Sequence, residues 1–565
     1  MEIVCASIVP FRDWVKILRR GFYCMADYVI AVDIGTSGIR CQAIDYETGK
    51  TVDTAITQRH PIPGMNVIDH VNFAIKTGAD VANKLIIKCI NQLFATLKID
   101  LSKVKRIGVC GNTFQMSLFQ NIEIRDLAYA GENMLKTLGI HKIERNGAVL
   151  KASDLGLVGM PDAEVIIPPS VRHEIGADAI AMLLVTKVNE SKEPCLVVDY
   201  GTNAEMALIC GDGRIFTGSA AAGPAMEGQE IEKGMLAAPG AISDVNIVDG
   251  GWQCTVLDDS MVPRVGDTID PYTGKIIKKG EVRAVGITGT GTVAALYCGM
   301  KAGVVVPPKI NTEDGMLHLQ DGIYLVSRDI DEAGKAIGAM RAGFLTLLNA
   351  AGMWTGDVKT AYMSGASGLY VDALKAMGVG MVVPGASNLV QFGNTSIQMA
   401  RWIAMGQMDL ETLRSFAEKL KAEHCMFATS EVFKNIYGIE YSVWCTSMPM
   451  SIYDDMLAMY ELPPLGEPQE NITVNKLAKT DLPDTESIAV RIVDSGTILT
   501  GKVEKCILCG RCVKECPEKA LSLQPTDGGS IASVKSDRCA GTACRRCEHK
   551  CPDKLLHLDS FAISE

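Results

Sequence analysis

Two cysteine runs near the C-terminal end constrain this chain more than any other feature. The first, "CILCGRCVKECP", is spaced Cys506-x2-Cys509-x2-Cys512-x3-Cys516-Pro517, and the second is Cys539-x4-Cys544-x2-Cys547-x3-Cys551-Pro552. Three closely spaced thiolates can wrap one [4Fe-4S] cubane, while the distant cysteine before proline reaches across to the other. By that crossed rule Cys506, Cys509, Cys512 and Cys551 hold one cluster, and Cys539, Cys544, Cys547 and Cys516 hold the second.

A pair of four-thiolate zinc sites is the competing reading, because thiolates also suit tetrahedral zinc. Zinc ribbons normally use two separated Cys-x2-Cys knuckles rather than four-cysteine runs ending in Cys-Pro, so the spacing favours iron-sulfur. One departure stands out. Cys539-x4-Cys544 is about two residues longer than the standard interval, and a longer loop can change the hydrogen bonding or exposure that tunes a cluster's potential. The tail resembles a two-cluster bacterial-type ferredoxin domain, a resemblance that implies single-electron transfer and a small α+β fold.

Nothing in the preceding five hundred residues looks like this tail. The chain has 565 residues, room for roughly three or four domains. Its 54 glycines and 6% aromatic content suit an α/β fold with many tight strand-to-helix turns. A net charge of −11 argues against a nucleic-acid binder, which needs concentrated Lys and Arg. No apolar run approaches the roughly eighteen residues of a membrane span. Residues 1–25 contain an apolar stretch, but Arg19 and Arg20 follow it instead of preceding it, the reverse of a secretory signal. They are read as an extension without assigned function. Eight of the nineteen cysteines lie in the tail; others, such as Cys110, Cys195 and Cys210, fall in apolar runs as small buried hydrophobes. A reducing cytoplasmic setting fits both groups.

A second constraint is an internal echo. "YVIAVDIGTS" is an apolar strand ending in Asp-x-Gly-Thr and followed by a hairpin, and "CLVVDYGTNAEMALICGDGRIFTGSAA" repeats that grammar 166 residues later, from Asp33 to Asp199. Such a turn offers backbone N–H groups to phosphate oxygens and a carboxylate to Mg²⁺ or an attacking water. Two copies resemble the paired phosphate motifs of the superfamily that contains actin, sugar kinases and the large heat-shock chaperone ATPases. That resemblance implies two ribonuclease H-like lobes closing over ATP. It places Asp33, Gly35, Thr36 and Ser37 on one side of the phosphates, and Asp199, Gly201, Thr202 and Asn203 on the other, with Asp33 and Asp199 as the catalytic carboxylates. "GASGLYVDA", with Gly365 and Gly368, resembles the adenosine motif, while "HEIGADAIAMLL" and "FGNTSIQMA" resemble paired hinge helices, although each also reads as an ordinary packing helix.

The expected organisation is an extension over 1–25, ATPase lobe I over 26–190, lobe II over 191–410, a connector or docking region over 411–500, and the two-cluster domain over 501–565. Four prolines within 461–484 mark the connector.

The segments "VVDYGTNAEMAL", "GPAMEGQEIEKGMLAAPGAI", "VGITGTGTVAALY" and "SRDIDEAGKAIGAMRAG" closely resemble the ATP-dependent reductive activases of corrinoid proteins, over about Tyr28 to Arg401. Most relatives carry an N-terminal [2Fe-2S] domain, whose ligands are missing: only Cys5 and Cys24 precede the first phosphate loop. The C-terminal two-cluster tail instead matches the activases of methylamine methyltransferase systems. The resemblance implies ATP, Mg²⁺ and two [4Fe-4S] clusters as cofactors. The implied activity is one-electron reduction of Co(II) to Co(I) corrinoid for methylamine-dependent methanogenesis. Corrinoid proteins and an external low-potential electron donor are the implied partners. Three alternatives stand beside it: an activator of another low-potential acceptor, as in the shorter single-cluster activators of 2-hydroxyacyl-CoA dehydratases; an iron-sulfur redox-sensing nucleotide-binding module; and a sugar or acetate kinase with an appended ferredoxin. His173 is read as a core or surface histidine rather than a cobalt ligand.

Overall fold

The computed structural model describes residues 27–129, 132–172, 175–201, 203–220, 228, 230–421 and 423–564. The expected extension over 1–25, His173 and Thr202 lie outside the described residues.

The β-branched run Tyr28–Ile34 is a wholly buried strand because it is central in its sheet, with apolar layers on both faces. It pairs antiparallel with Ile39–Asp45 and parallel with Val104–Gly111. The complete lobe I sheet runs Val490–Val493, Thr51–Thr57, Ile39–Asp45, Tyr28–Ile34, Val104–Gly111, Glu164–Ile167, Ala148–Lys151. Lobe II repeats the plan around Cys195–Tyr200, which pairs antiparallel with Ala204–Ile209 and parallel with Thr360–Ser364. Its order is Thr473–Lys476, Asn388–Gln391, Thr360–Ser364, Cys195–Tyr200, Ala204–Ile209, Ile215–Ala220. The internal echo is therefore structural: each Asp-x-Gly-Thr turn leaves the central strand at the same end of equivalent sheets. Lobe II also carries a separate five-stranded sheet built on Ala241–Val248 and Gly251–Leu257, backed by the helix Gly289–Lys301.

The two expected hinge helices, Ala177–Val185 and Thr395–Ala404, pack on each other and share one apolar core with strands of both lobes. Helix 395–404 sits directly on lobe I backbone, since a Cβ at Gly108 would lie 2.2 Å from the Ala400 carbonyl oxygen.

Residues 411–500 do more than connect. Helix Glu431–Thr446 lies against the long helix Ser327–Ala351 where Gly334 and Gly338 leave room for Trp444 and Glu440. A buried Arg341–Glu440 pair at 3.2 Å, joined by the Tyr453 hydroxyl, holds that contact. Further on, Thr473–Lys476 adds a parallel edge strand to lobe II, and Val490–Val493 adds one to lobe I. The segment expected as a connector thus completes both sheets and crosses from one lobe to the other.

The tail forms a four-stranded sheet in the order Leu521–Thr526, Gly529–Lys535, Ile498–Glu504, Ala562–Ile563, flanked by short helices Arg511–Glu515 and Arg546–Lys550 that pack together. Its first strand begins at Ile498, and its apolar residues, Leu499, Val534 and Phe561 among them, are continuous with the lobe I core. Among the described residues no helix is long and apolar enough to cross a membrane.

Candidate functional site

The two Asp-x-Gly-Thr turns face each other across the interlobe cleft, in different surroundings. Asp33 is 3% exposed and accepts hydrogen bonds from Arg40 Nη1 at 3.2 Å and Asn394 Nδ2 at 2.7 Å. Burial raises its pKa, while the Arg40 charge and both hydrogen bonds pull it back. Asn394 is the N-cap of hinge helix 395–404, its Oδ1 accepting from the Ile397 N–H, so one side chain caps the hinge and grips the first phosphate loop. Gly35, Thr36 and Ser37 form the turn itself, and the Thr36 hydroxyl accepts from Asn112 Nδ2 at 3.0 Å.

Asp199 accepts instead from the Ser364 hydroxyl at 3.3 Å, and among the described residues no basic side chain pairs with it. Burial first, then the charge of Asp178, and more weakly those of Asp33 and Asp481, push its pKa up to about 7. Asp178, in the first turn of hinge helix 177–185, is raised by burial and by Asp33. Glu205 is raised well above its ordinary value by burial and by Asp178 and Asp199, partly offset by a hydrogen bond from Asn203. Gly201 donates its N–H to the Asn203 carbonyl at 3.2 Å, closing the second turn.

Gly365 and Gly368 open the short helix that follows strand Thr360–Ser364. Gly365 has φ +81°, and a Cβ there would lie 2.4 Å from Asp199 Oδ1. Its lack of a side chain is required first by the carboxylate. A Cβ at Gly368 would lie 3.1 Å from both Met363 and Tyr200, so this glycine serves backbone packing as well.

Sequence reasoning missed Asp178, Asp481, Asn394 and Arg40. Asp481 comes from the segment expected as a connector; it is half-buried, its carbonyl accepts from the Asn394 N–H at 3.1 Å, and among the described residues its enclosed Oδ1 has no hydrogen-bond partner. An orphaned buried carboxylate oxygen amid Asp33, Asp178 and Asp199 fits a site that takes up a cation. Among the described residues no three acidic, His or Cys side chains converge as ligands of one ion. Mg²⁺ keeps several waters and binds through one or two carboxylates plus substrate phosphates, so Asp199 and Asp481 could hold it without a larger donor set.

In the tail, thiols of the two runs lie near enough to act on one another's charge. The Cys512 thiol is raised by burial and by the charges of Cys551 and Cys506. Cys539 is pushed up to about 11 by burial, with Cys516 and Cys544 adding to it, and Cys547 up to about 12 by burial and Cys539, with a further contribution from Cys516. The thiol of each cysteine that precedes a proline thus acts on a thiol of the other run, the neighbourhood that the crossed assignment expects. Cys516 Sγ accepts from the Ala520 N–H at 3.2 Å and Cys539 Sγ from the Gly541 N–H at 3.4 Å, bonds that favour a thiolate. The donor set fits two [4Fe-4S] clusters. The two groups differ in exposure: Cys509 is exposed, whereas the loop from Cys539 to Cys544 is applied to lobe I. There the Cys539 carbonyl accepts from the Gly64 N–H at 2.9 Å, and the Thr542 hydroxyl donates to Asp69 Oδ1 at 3.0 Å.

Three family models match the chain in tandem: the RACo middle region over 28–191, the C-terminal domain of RACo, an ASKHA domain, over 193–454, and a 4Fe-4S dicluster domain over 505–555. The chain is 49% identical over 519 residues to the [Co(II) methylated amine-specific corrinoid protein] reductase of Methanosarcina barkeri, covering 91% of this chain and 96% of that one. It is 25% identical over 371 residues to the corrinoid activation enzyme RamQ of Eubacterium limosum, covering 63% and 60% respectively. Among solved structures, a reductive activator for corrinoid,iron-sulfur protein superposes with a TM-score of 0.60 at 22% identity, over 74% of this chain and 66% of that one, which speaks to the fold alone. With its two actin-like lobes, its dicluster tail and near-half identity along almost its whole length, the chain belongs to the RACo family of corrinoid protein reductases.

Proposed function

We propose that this chain is an ATP-dependent reductive activator that returns a methylated amine-specific corrinoid protein from Co(II) to Co(I), the substrate for which the Methanosarcina barkeri relative is named. The observation that carries the reading is the union, in one continuous core, of a phosphate-binding lobe and a dicluster domain. Co(II) takes up one electron and becomes Co(I). Drawing that electron from an ordinary donor is uphill, since each ~59 mV of mismatch in a one-electron couple costs tenfold in equilibrium. The two clusters supply stepwise single-electron transfer when bound, fed by an external low-potential donor.

The protein's own residues supply the coupling. Asp199, its pKa raised by burial and then by its acidic neighbours, would give up its proton to hold Mg²⁺ or the attacking water when nucleotide binds. The turn N–H groups around Gly35 to Ser37 and Gly201 to Asn203 cradle the phosphates. Asn394 ties the first turn to the hinge helix, so lobe closure around nucleotide moves the hinge and the two edge strands that cross between lobes. A reducing cytoplasm suits both the clusters and the free thiols elsewhere.

A Co(II) corrinoid protein added to cluster-loaded activator should stimulate ATP hydrolysis, read as phosphate release under anaerobic conditions. Phosphorylation of a small molecule without any effect of corrinoid protein would instead mark a kinase.

A further inference from the structure

The lengthened Cys539–Cys544 interval has a structural use. Its short turn, Gly541–Ala543, touches the helix Val67–Thr77 of lobe I, as does the later turn Leu558–Ser560. From there a continuous series of polar contacts runs to the first phosphate loop. The Thr542 hydroxyl donates to Asp69 at 3.0 Å, and the next residue, His70, meets Gln115 Nε2 through its Nδ1 at 2.8 Å. The Gln115 N–H donates to Asn112 Oδ1 at 3.0 Å, and Asn112 Nδ2 donates to the Thr36 hydroxyl at 3.0 Å. A second contact reinforces the start of this series. Gly64, whose N–H holds the Cys539 carbonyl, presses on the same two residues: a Cβ there would lie 2.5 Å from Asp69 Cβ and 2.9 Å from His70 Cδ2.

The middle of the series can be satisfied in two orientations. His70 and Gln115 are fully buried, His60 stacks on His70 with ring centroids 4.3 Å apart, and burial holds both imidazoles neutral. Among the described residues His60 Nε2, His70 Nε2 and Gln115 Oε1 have no hydrogen-bond partner. Either orientation of the Gln115 amide leaves one of its ends unpaired, so neither gains a hydrogen bond over the other. Exchanging the two ends of the Gln115 amide, together with the His70 tautomer, preserves their contact while reversing its direction. Such an element can be biased from either end, as energetic coupling between sites requires.

We propose that Thr542, Asp69, His70, Gln115 and Asn112 are positioning residues that couple nucleotide occupancy at Thr36 to the seating of the inner-cluster ligand loop on lobe I. When a phosphate accepts from the Thr36 hydroxyl, that oxygen turns and its bond from Asn112 Nδ2 is redirected; Asn112 caps the helix that carries Gln115, so the Gln115–His70 contact reverses direction and the hold of Asp69 on Thr542 changes with it. This inference rests on the nucleotide site and dicluster domain of the proposed function, and requires no corrinoid partner. The coupling is reciprocal: whatever nucleotide does to the seating of this loop, reduction of the inner cluster must do to nucleotide affinity by the same factor.

The test uses the full cluster-loaded chain, anaerobically, with and without a non-hydrolysable ATP analogue. Amide hydrogen exchange is read over 58–70 and 536–547, and the midpoint potentials of both clusters by EPR-monitored titration. The expected result is a nucleotide-dependent change in exchange of about 5-fold or more over 536–547, with a shift in the potential of one cluster and not the other. Thr542→Val should abolish both effects, Thr542→Ser should retain them, and Gln115→Leu should abolish them with both cluster signals intact. Nucleotide binding that leaves 536–547 and both potentials unchanged overturns the proposal, as does a Thr542→Val protein that responds like the parent. Either failure can occur in a protein that still makes Co(I) with ATP, so the two readings fail separately.

Discussion

The two Asp-x-Gly-Thr turns share a motif and a strand topology, yet their carboxylates are held in opposite ways. Asp33 is paired in place with Arg40 and tied to the hinge by Asn394, whereas Asp199 accepts from the neutral Ser364 hydroxyl and faces other acids. A buried carboxylate paired with a guanidinium is committed; one surrounded by like charge awaits a cation. The repeat therefore makes one turn an anchor between lobes and the other a working site.

Four experiments sharpen or break that contrast. Asp199→Asn should have the largest effect, lowering ATP hydrolysis and ATP-dependent Co(I) formation about 10²–10³-fold, the scale of losing one electrostatic group in a reaction centre, with both cluster EPR signals unchanged. Asp33→Asn should cost activity less, about tenfold, a loss worth ~1.4 kcal/mol. Because it breaks the part-buried Arg40–Asp33 pair, it should also lower the melting temperature, which Asp199→Asn should not. Equal activity losses, or the reverse order, would erase the distinction between the turns.

The third test is pH. A carboxyl raised to about 7 from 3.8 binds its proton more tightly in the folded protein, so the nucleotide-free protein gains stability from it at low pH and loses that contribution as pH rises from about 4 to about 7. Mg²⁺ must displace the same proton, so Mg-nucleotide affinity should fall as pH drops below about 7, by up to about tenfold per unit. Asp199→Asn should flatten that dependence and Asp33→Asn should not, as isothermal titration at several pH values would show. The smallest effect is expected from Asn394→Ala, which removes a helix cap and one bond to Asp33, for about 1–2 kcal/mol by chemical denaturation.

Those residues also show what could be read in advance. Strands ending in Asp33 and Asp199, and the crossed cysteine runs, are local patterns: apolar alternation, a glycine turn and short ligand spacing are each written within a dozen residues. Asp178 and Asn394 lay inside motifs already noted, "HEIGADAIAMLL" and "FGNTSIQMA", and their signal was a polar residue at a helix start. Asp481 had none, because it reaches the cleft only through tertiary folding of a proline-containing segment. The edge strands Thr473–Lys476 and Val490–Val493 were hidden for the same reason. The first has every residue exposed, so neither alternation nor an apolar run marks it, and only pairing with Asn388–Gln391 makes it a strand. The long Cys539–Cys544 interval was visible as a departure, but its purpose depended on where lobe I would meet it.

The central claim is that nucleotide held between the lobes governs electron delivery from the tail to cobalt. The most direct measurement mixes cluster-loaded protein with a Co(II) corrinoid protein and a low-potential reductant, and follows Co(I) in the visible spectrum with and without Mg-ATP. The account predicts Co(I) only with Mg-ATP, and its disappearance in both Asp199→Asn and Cys512→Ala. Equal Co(I) formation without ATP, or in Asp199→Asn, would contradict it.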